Sequence, residues 1–252
     1  MGKLSRKEIQ VVNLFWTCLV DALFPEVGES AIDLLHRAGV KVEFPRDQTC
    51  CGQPAFNAGF WPEARQMAMH TIQVLEKAPG PVVIPSGSCA AMIRHGYLEL
   101  FAEDAVWLAK ANALAARTFE LTEFLVDEVG VTDFEASFRG TVAYHPSCHL
   151  LRWLGVDRQP LALLGALRGT TVHRLEAECC GFGGVFAVEH AEISGEMLKR
   201  KMNRVLESGA GVVVGCDVSC LMQIEGGLRH DGHAIRCAHI AQVLTGRPPG
   251  LR

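Results

Sequence analysis

The cysteines of this chain repeat. Cys18, Cys50, Cys51 and Cys89 are spaced by 32, 1 and 38 residues, and Cys148, Cys179, Cys180 and Cys220 by 31, 1 and 40. Each adjacent pair is followed by a glycine, Gly52 or Gly181. Such self-similarity constrains architecture before any local propensity is weighed, because each copy is one structural unit. The surroundings repeat in step. Short apolar runs at 11–15 and 141–145 lead into Cys18 and Cys148 and read as buried strands. Helical patterns follow at 28–38 and 159–167, then second strands at 40–44 and 171–175 that end near the Cys-Cys-Gly turns. Helices at 62–77 and 191–208 lead to third strands at 81–85 and 211–215, which deliver Cys89 and Cys220. Strands alternating with helices predict an α/β fold. The expected form is two tandem pseudo-symmetric domains, 8–130 and 140–247, each a small, mainly parallel sheet flanked by helices with cysteine loops at strand ends. A bridge at 103–140 carries a helical pattern at 105–117 and an amphipathic stretch at 120–129. The duplication further predicts that the Cys18 and Cys148 loops face one another near the junction.

Composition narrows the function classes. Of the 252 residues, 49% are hydrophobic and 21% charged, which supplies a packed core and excludes a disordered chain. Basic and acidic residues number 24 and 28, for a net charge of −4 without a basic stripe, so no nucleic-acid partner is expected. No uncharged apolar stretch reaches the ~18 residues of a membrane span, so no transmembrane segment is expected. The apolar run at 11–20 is short, interrupted by Asn13 and followed by no small-x-small cleavage site, unlike a signal peptide. Arg6 breaks the N-myristoylation pattern. These readings point to a cytoplasmic protein, where clustered cysteines are metal ligands or catalytic thiols sooner than disulfides.

Loops at the carboxyl ends of parallel strands let four thiols from distant parts of the sequence converge at one edge. Gly52, Gly87, Gly181 and the Gly183-Gly184 pair suit sharp turns and let backbone amides approach sulfur, where they stabilise thiolates. Four thiolates suit zinc or an iron–sulfur cluster. Structural zinc favours ligand pairs separated by two to four residues, and adjacent ligands are awkward on one tetrahedral ion. Adjacent cysteines can bind different irons of one cluster, so iron–sulfur is the better physical reading. Vicinal disulfides, which are strained, and inert core cysteines are the competing readings. Cys237 is expected to pack in the core within a helix-like stretch at 234–244, and Cys216 either packs at a strand end or adds a ligand. His145 and His149, flanking Cys148, read as turn-forming or hydrogen-bonding side chains, and Phe15 and Trp16 as sheet packing.

The wording around these cysteines resembles a known family. Thr49-Cys50-Cys51-Gly52-Gln53-Pro54, Pro85-Ser86-Gly87-Ser88-Cys89, His145-Pro146-Ser147-Cys148-His149 and Cys179-Cys180-Gly181-Phe182-Gly183-Gly184 are similar to the duplicated cysteine-rich CCG domains. Those domains occur in the cysteine-rich subunit of heterodisulfide reductase, in glycolate oxidase iron–sulfur subunits and in the anaerobic glycerol-3-phosphate dehydrogenase small subunit. A short chain of two such domains, matching over about residues 8–245, looks like the lactate utilization protein A family. The resemblance implies that Cys18, Cys50, Cys51, Cys89, Cys148, Cys179, Cys180 and Cys220 hold iron–sulfur clusters. In the heterodisulfide reductase branch the motif ends in Cys-x-x-Cys, and five cysteines hold a noncubane cluster. Here Ser86 and Asp217 stand at the first of those two positions, so one [4Fe-4S] cluster per motif is the simpler expectation, with Cys216, Asp217 or Ser86 as possible extra ligands.

No flavin, nicotinamide or bacterial-ferredoxin fingerprint occurs in the chain, so a hydroxy-acid oxidation would need other subunits. The resemblance implies an iron–sulfur subunit of an oxidoreductase that converts L-lactate to pyruvate. Its partners would be a ferredoxin-domain iron–sulfur subunit and a third small subunit from the same operon, and the complex would take a small hydroxy-acid substrate. A subunit for glycolate or glycerol-3-phosphate oxidation, heterodisulfide reductase-like thiol redox, or a zinc-stabilised scaffold are the alternatives.

Overall fold

A computed structural model of the chain describes residues 11–247. The first residues of the expected first domain, 8–10, and the Arg6 position lie outside them. The chain forms two sheets of four strands, every pairing parallel. The first contains β1 (Val11–Leu14), β2 (Lys41–Glu43), β3 (Val82–Ile84) and β4 (Thr118–Glu120) in the order β2-β1-β3-β4. The second contains β5 (Ser137–His145), β6 (Arg168–Arg174), β7 (Val212–Gly215) and β8 (Arg236–His239) in the equivalent order β6-β5-β7-β8. In each, the chain leaves the middle pair in opposite directions, so a crevice opens at the carboxyl ends of β1 and β3, and of β5 and β7.

Period-two alternation along the strands sorts side chains onto two faces. Val12 and Leu14 of β1, Val83 of β3, Val142 and Tyr144 of β5, and Val212 and Val214 of β7 all enter one apolar core common to both halves. The opposite faces feed separate cores: Phe15, Val82 and Ile84 in the first half, Ala143 and Val213 in the second. The helices follow the same division. Pro25–Arg37 and Arg158–Gly165 bury Leu34, Leu35, Leu163 and Leu164 in the common core, whereas Trp61–Glu76 places Ala64, Ala68 and Ile72 in the first half's own core.

Contacts between the halves occur twice, with the roles exchanged. Pro25–Arg37 meets Ile240–Leu244, and Arg158–Gly165 meets Leu121–Glu123. Likewise Cys18–Leu23 meets Val218–His230, and Gly87–Ala91 meets Cys148–Arg152. This reciprocity is the pseudo-two-fold relation expected from the duplication. Gly87 has an ordinary φ and makes no turn. A Cβ there would lie 2.8 Å from Leu150 Cβ, so its function is close approach between halves. At the matching place, Val218 packs on Val20, Phe24 and Val27.

Three features depart from the sequence reading. Strand β4 lies between the helical pattern at 105–117 and the stretch at 120–129, ending on Glu120, and β8 replaces the first part of the helix-like stretch at 234–244, leaving only Ile240–Leu244 helical. Cys237 therefore sits in a strand, fully buried. Strand β5 reaches back to Ser137 across a register shift near Gly140, where φ is 132°, so it starts inside the segment read as a linker.

The ends of the two fourth strands act as helix caps. Buried Glu120 accepts hydrogen bonds from Thr122 N–H at 2.7 Å and Glu123 N–H at 3.3 Å, and Gln242 and His239 form the corresponding box after β8. Burial pushes the Glu120 carboxyl up from 4.5 to about 8, against the opposing pull of the Thr122 hydrogen bonds. Between those two values the folded chain keeps a proton that the unfolded chain has lost, so stability falls as pH rises from 4.5 to 8. Glu120→Gln removes that slope and stabilises the chain at the alkaline end. Denaturant midpoints of the two proteins measured across this window check it, and parallel curves would refute it.

Candidate metal centre

All eight repeat cysteines line one cavity of about 220 Å³. Cys18 begins the helix after β1 and Cys148 the helix after β5, while Cys89 and Cys220 lie in the first turn of the helices after β3 and β7. The adjacent pairs enter from the loops after β2 and β6. The loops of Cys18 and Cys148 thus open onto a common space, as the repeat predicts. Burial is graded alike in the two sets: Cys51, Cys89, Cys180 and Cys220 are buried, and Cys18, Cys50, Cys148 and Cys179 reach toward solvent. All ten cysteines are free thiols.

The glycines after each pair are required. Gly52 and Gly181 both have φ of 87°, a left-handed conformation that side chains disfavour. A Cβ on Gly181 would also lie 2.5 Å from Ser194 O. The turn aims the Gly181 N–H at Cys179 Sγ, 3.4 Å away. In the first half Cys18 Sγ lies 3.6 Å from Cys50 Sγ. Cys50 is drawn well below the usual thiol range because Cys18 and Cys51 donate to it and the Gly52 amide faces it. Cys18 and Cys51 are pushed upward by giving those bonds and by burial. Cys148, Cys179 and Cys180 repeat the pattern, with Cys179 as the low thiol. Like charges packed this closely cannot all ionise on their own, whereas a bound cation offsets the repulsion and lets every thiol lose its proton.

Unpartnered polar atoms support the same fit. The hydroxyls of Thr17 and Ser147, each one residue before the first cysteine of its set, are buried on the cavity wall without a hydrogen-bond partner among the described residues. Both ring nitrogens of His145 are likewise unpartnered, which departs from the expected hydrogen-bonding role. Burial, with the Lys201 charge adding to it, pushes His145 down to about 3. Its ring, Cys180 Sγ and Cys220 Sγ lie within 4.8 Å of one another. His149 Nδ1 is 3.7 Å from Cys148 Sγ. Four soft sulfurs per half, backbone amides aimed at them and unpaired donors around them fit a thiolate-ligated metal or iron–sulfur group.

The possible extra ligands are placed as follows. Cys216 is fully buried in the common core, near Thr122 and Tyr144, and does not line the cavity. Ser86 and Asp217 line it but hold each other. Asp217 Oδ2 accepts from Ser88 N–H at 2.8 Å and Ser86 Oγ at 3.1 Å, and its Oδ1 accepts from Ser219 N–H at 3.2 Å and Ser219 Oγ at 2.5 Å. One carboxylate therefore caps the Val218–His230 helix and reaches across to the Gly87–Ala91 helix of the other half. The Thr17-Cys18 and Ser147-Cys148 dipeptides carried a signal for the two hydroxyls. Nothing local in the sequence marked the isolation of His145 or the span of Asp217.

Comparison with known proteins agrees with this geometry. The cysteine-rich domain model CCG matches residues 12–94 and again 142–225. Lactate utilization protein A of Exiguobacterium sp. (strain ATCC BAA-1283 / AT1b) is 48% identical over 237 residues, covering 93% of this chain and 96% of that protein. The protein of the same name from Macrococcus caseolyticus (strain JCSC5402) is 44% identical over 236 residues, covering 93% and 96%. Lactate utilization protein A 2 of Bacillus cereus (strain AH820) is 42% identical over 236 residues, covering 93% and 97%. Among the described residues no helix is long and apolar enough to cross a membrane. With both copies of its motif in place and its length matched almost throughout, the chain belongs to the CCG cysteine-rich domain family and, within it, to the lactate utilization protein A family.

Proposed function

We propose that the chain is an iron–sulfur subunit of a cytoplasmic oxidoreductase that oxidises L-lactate to pyruvate. Cys18, Cys50, Cys51 and Cys89 hold one [4Fe-4S] cluster, and Cys148, Cys179, Cys180 and Cys220 hold the other. The observation that carries this reading is the opening of both thiol sets onto a single cavity. The substrate in the relatives' names supports the choice of lactate. Oxidation of a hydroxy acid to a keto acid releases two electrons and two protons, and clusters of this kind carry electrons singly. The chain's own residues arrange sulfur, tune its charge and admit solvent or a partner on the Cys18 and Cys148 side. The sequence carries no hydride-acceptor fingerprint, so other subunits complete the enzyme, and the family resemblance implies that they are a ferredoxin-domain iron–sulfur subunit and a third small subunit. Iron and acid-labile sulfide per chain, measured on anaerobically purified protein and paired with electron paramagnetic resonance, test the reading. Two clusters per chain are expected. Zinc without labile sulfide would replace the reading with a structural metal site.

A further inference from the structure

The two thiol sets are equivalent in spacing but not in surroundings. His145 stands three residues before Cys148, and Phe15 stands three residues before Cys18. Phe15 is buried in the apolar core that contains Cys51 and Cys89. His145 is 1% exposed, beside Cys180 and Cys220, and neither ring nitrogen has a partner among the described residues. A second difference lies on the helix behind the Cys-Cys-Gly turn. Gly52 backs onto Ala64 and Met67, and Gly181 backs onto Ser194 and Met197, which aligns the two helices. In that alignment Lys201 takes the place of Thr71. Lys201 is fully buried, and its Nζ donates to Glu176 O at 2.8 Å. The second sulfur set thus has an unpaired imidazole beside it and a buried lysine on the helix behind it, whereas the corresponding places of the first hold Phe15 and Thr71, and the nearby Tyr97 hydroxyl is spent on Cys51 O at 2.9 Å.

We propose that His145 donates an N–H hydrogen bond to sulfur of the iron–sulfur group held by the second set, and that Lys201 adds positive charge behind it, so that the second group has the higher reduction potential. The inference rests on the reading that each set holds such a group. An imidazole buried without a partner forgoes its hydrogen-bonding capacity, and sulfur that becomes more negative on reduction is the acceptor nearest to it. Donors and cations around cluster sulfur stabilise the reduced state and raise the potential. The first site has Phe15 and Thr71 at the corresponding places and a Tyr97 hydroxyl already donating to Cys51 O, so it lacks both the free imidazole and the lysine. An electron arriving at the first group is therefore drawn to the second, which gives the symmetric fold a direction.

Redox titration followed by electron paramagnetic resonance tests this, using Cys51→Ala to leave only the second group and Cys180→Ala to leave only the first. The second group should titrate at the higher potential. Adding His145→Phe or Lys201→Met to the Cys51→Ala chain should shift its reduction equilibrium about tenfold against reduction, ~59 mV for one electron. Iron content should not change. His145→Gln keeps an N–H donor and should stay close to the parent, which separates lost donation from altered packing. Equal potentials, or no shift with iron fully retained, would overturn the inference alone. Nitrogen hyperfine coupling that vanishes in His145→Phe would also overturn it, by making His145 a ligand. A wild-type chain that takes up no iron and sulfide would sink this inference together with the function it rests on.

Discussion

Cys180→Ala should bind about half the iron and labile sulfide of the wild-type chain after anaerobic loading, and the Cys51→Ala, Cys180→Ala double variant next to none. Both residues are buried members of their sets, each beside a second buried thiol, Cys89 or Cys220. Solvent has little access to substitute for the missing sulfur there. Soft thiolate is the ligand that iron in sulfide clusters prefers, and the neighbouring Ser86 hydroxyl would have to give up a proton of high pKa to compete. Its oxygen is also engaged, donating to Asp217 and accepting from Cys89 N–H at 3.3 Å. Full retention of iron in Cys180→Ala would remove that thiol from the ligand set. Loss of all iron from either single variant, with the fold intact, would mean one group shared between the halves in place of one per motif.

Asp217→Ala should cost about 3 kcal/mol of stability while leaving the iron stoichiometry of the folded protein unchanged. Loss of a helix cap accounts for about 1 kcal/mol, and the remainder comes from buried donors left without their charged acceptor. The abandoned groups belong to both halves: Ser219 on one side, Ser86 and the Ser88 amide on the other. For a chain of this size the melting temperature should fall by roughly 6–12 °C. Asp217→Asn, which keeps one acceptor oxygen and converts the other to a donor, should fall by a smaller amount. Calorimetry of the metal-free proteins decides the matter. A change of under about 2 °C in Asp217→Ala would limit the carboxylate's net contribution to about 1 kcal/mol or less and refute the expected cost.

The positions of the strands that deliver cysteines were legible because apolar runs such as Val82–Ile84 and Val212–Gly215 follow a simple pattern and are punctuated by the motif itself. The fourth strands were not. Thr118–Glu120 is three residues long and ends in a carboxyl that is buried only because it caps the next turn. Arg236–His239 runs directly into Ile240–Leu244, so strand and helix merge into one apolar stretch along the sequence. The ligand candidates could be read from spacing alone, since duplication made each set a check on the other. What surrounds them could not. Whether His145 finds a partner depends on which side chains tertiary packing brings near it. Asp217 and Ser86 occupy equivalent places in the two repeats, and equivalence in sequence gives no hint that they touch.

The common core has a consequence for how the protein is made. The helices Pro25–Arg37 and Leu121–Glu123 of the first half meet Ile240–Leu244 and Arg158–Gly165 of the second within one continuous core, so part of the first half's apolar surface is closed only by the second. While the ribosome is still translating the second repeat, that apolar face has no cover. At 5–20 residues per second, the roughly 100 residues from β5 to β8 take about 5–20 s to appear. During that interval the nascent first half presents a surface shaped to receive a repeat like itself, and on a crowded messenger the nearest such repeat belongs to the neighbouring chain. Fusing the two copies into one polypeptide makes the correct partner the next segment to emerge, and the rate of translation then sets how long the wrong one can compete.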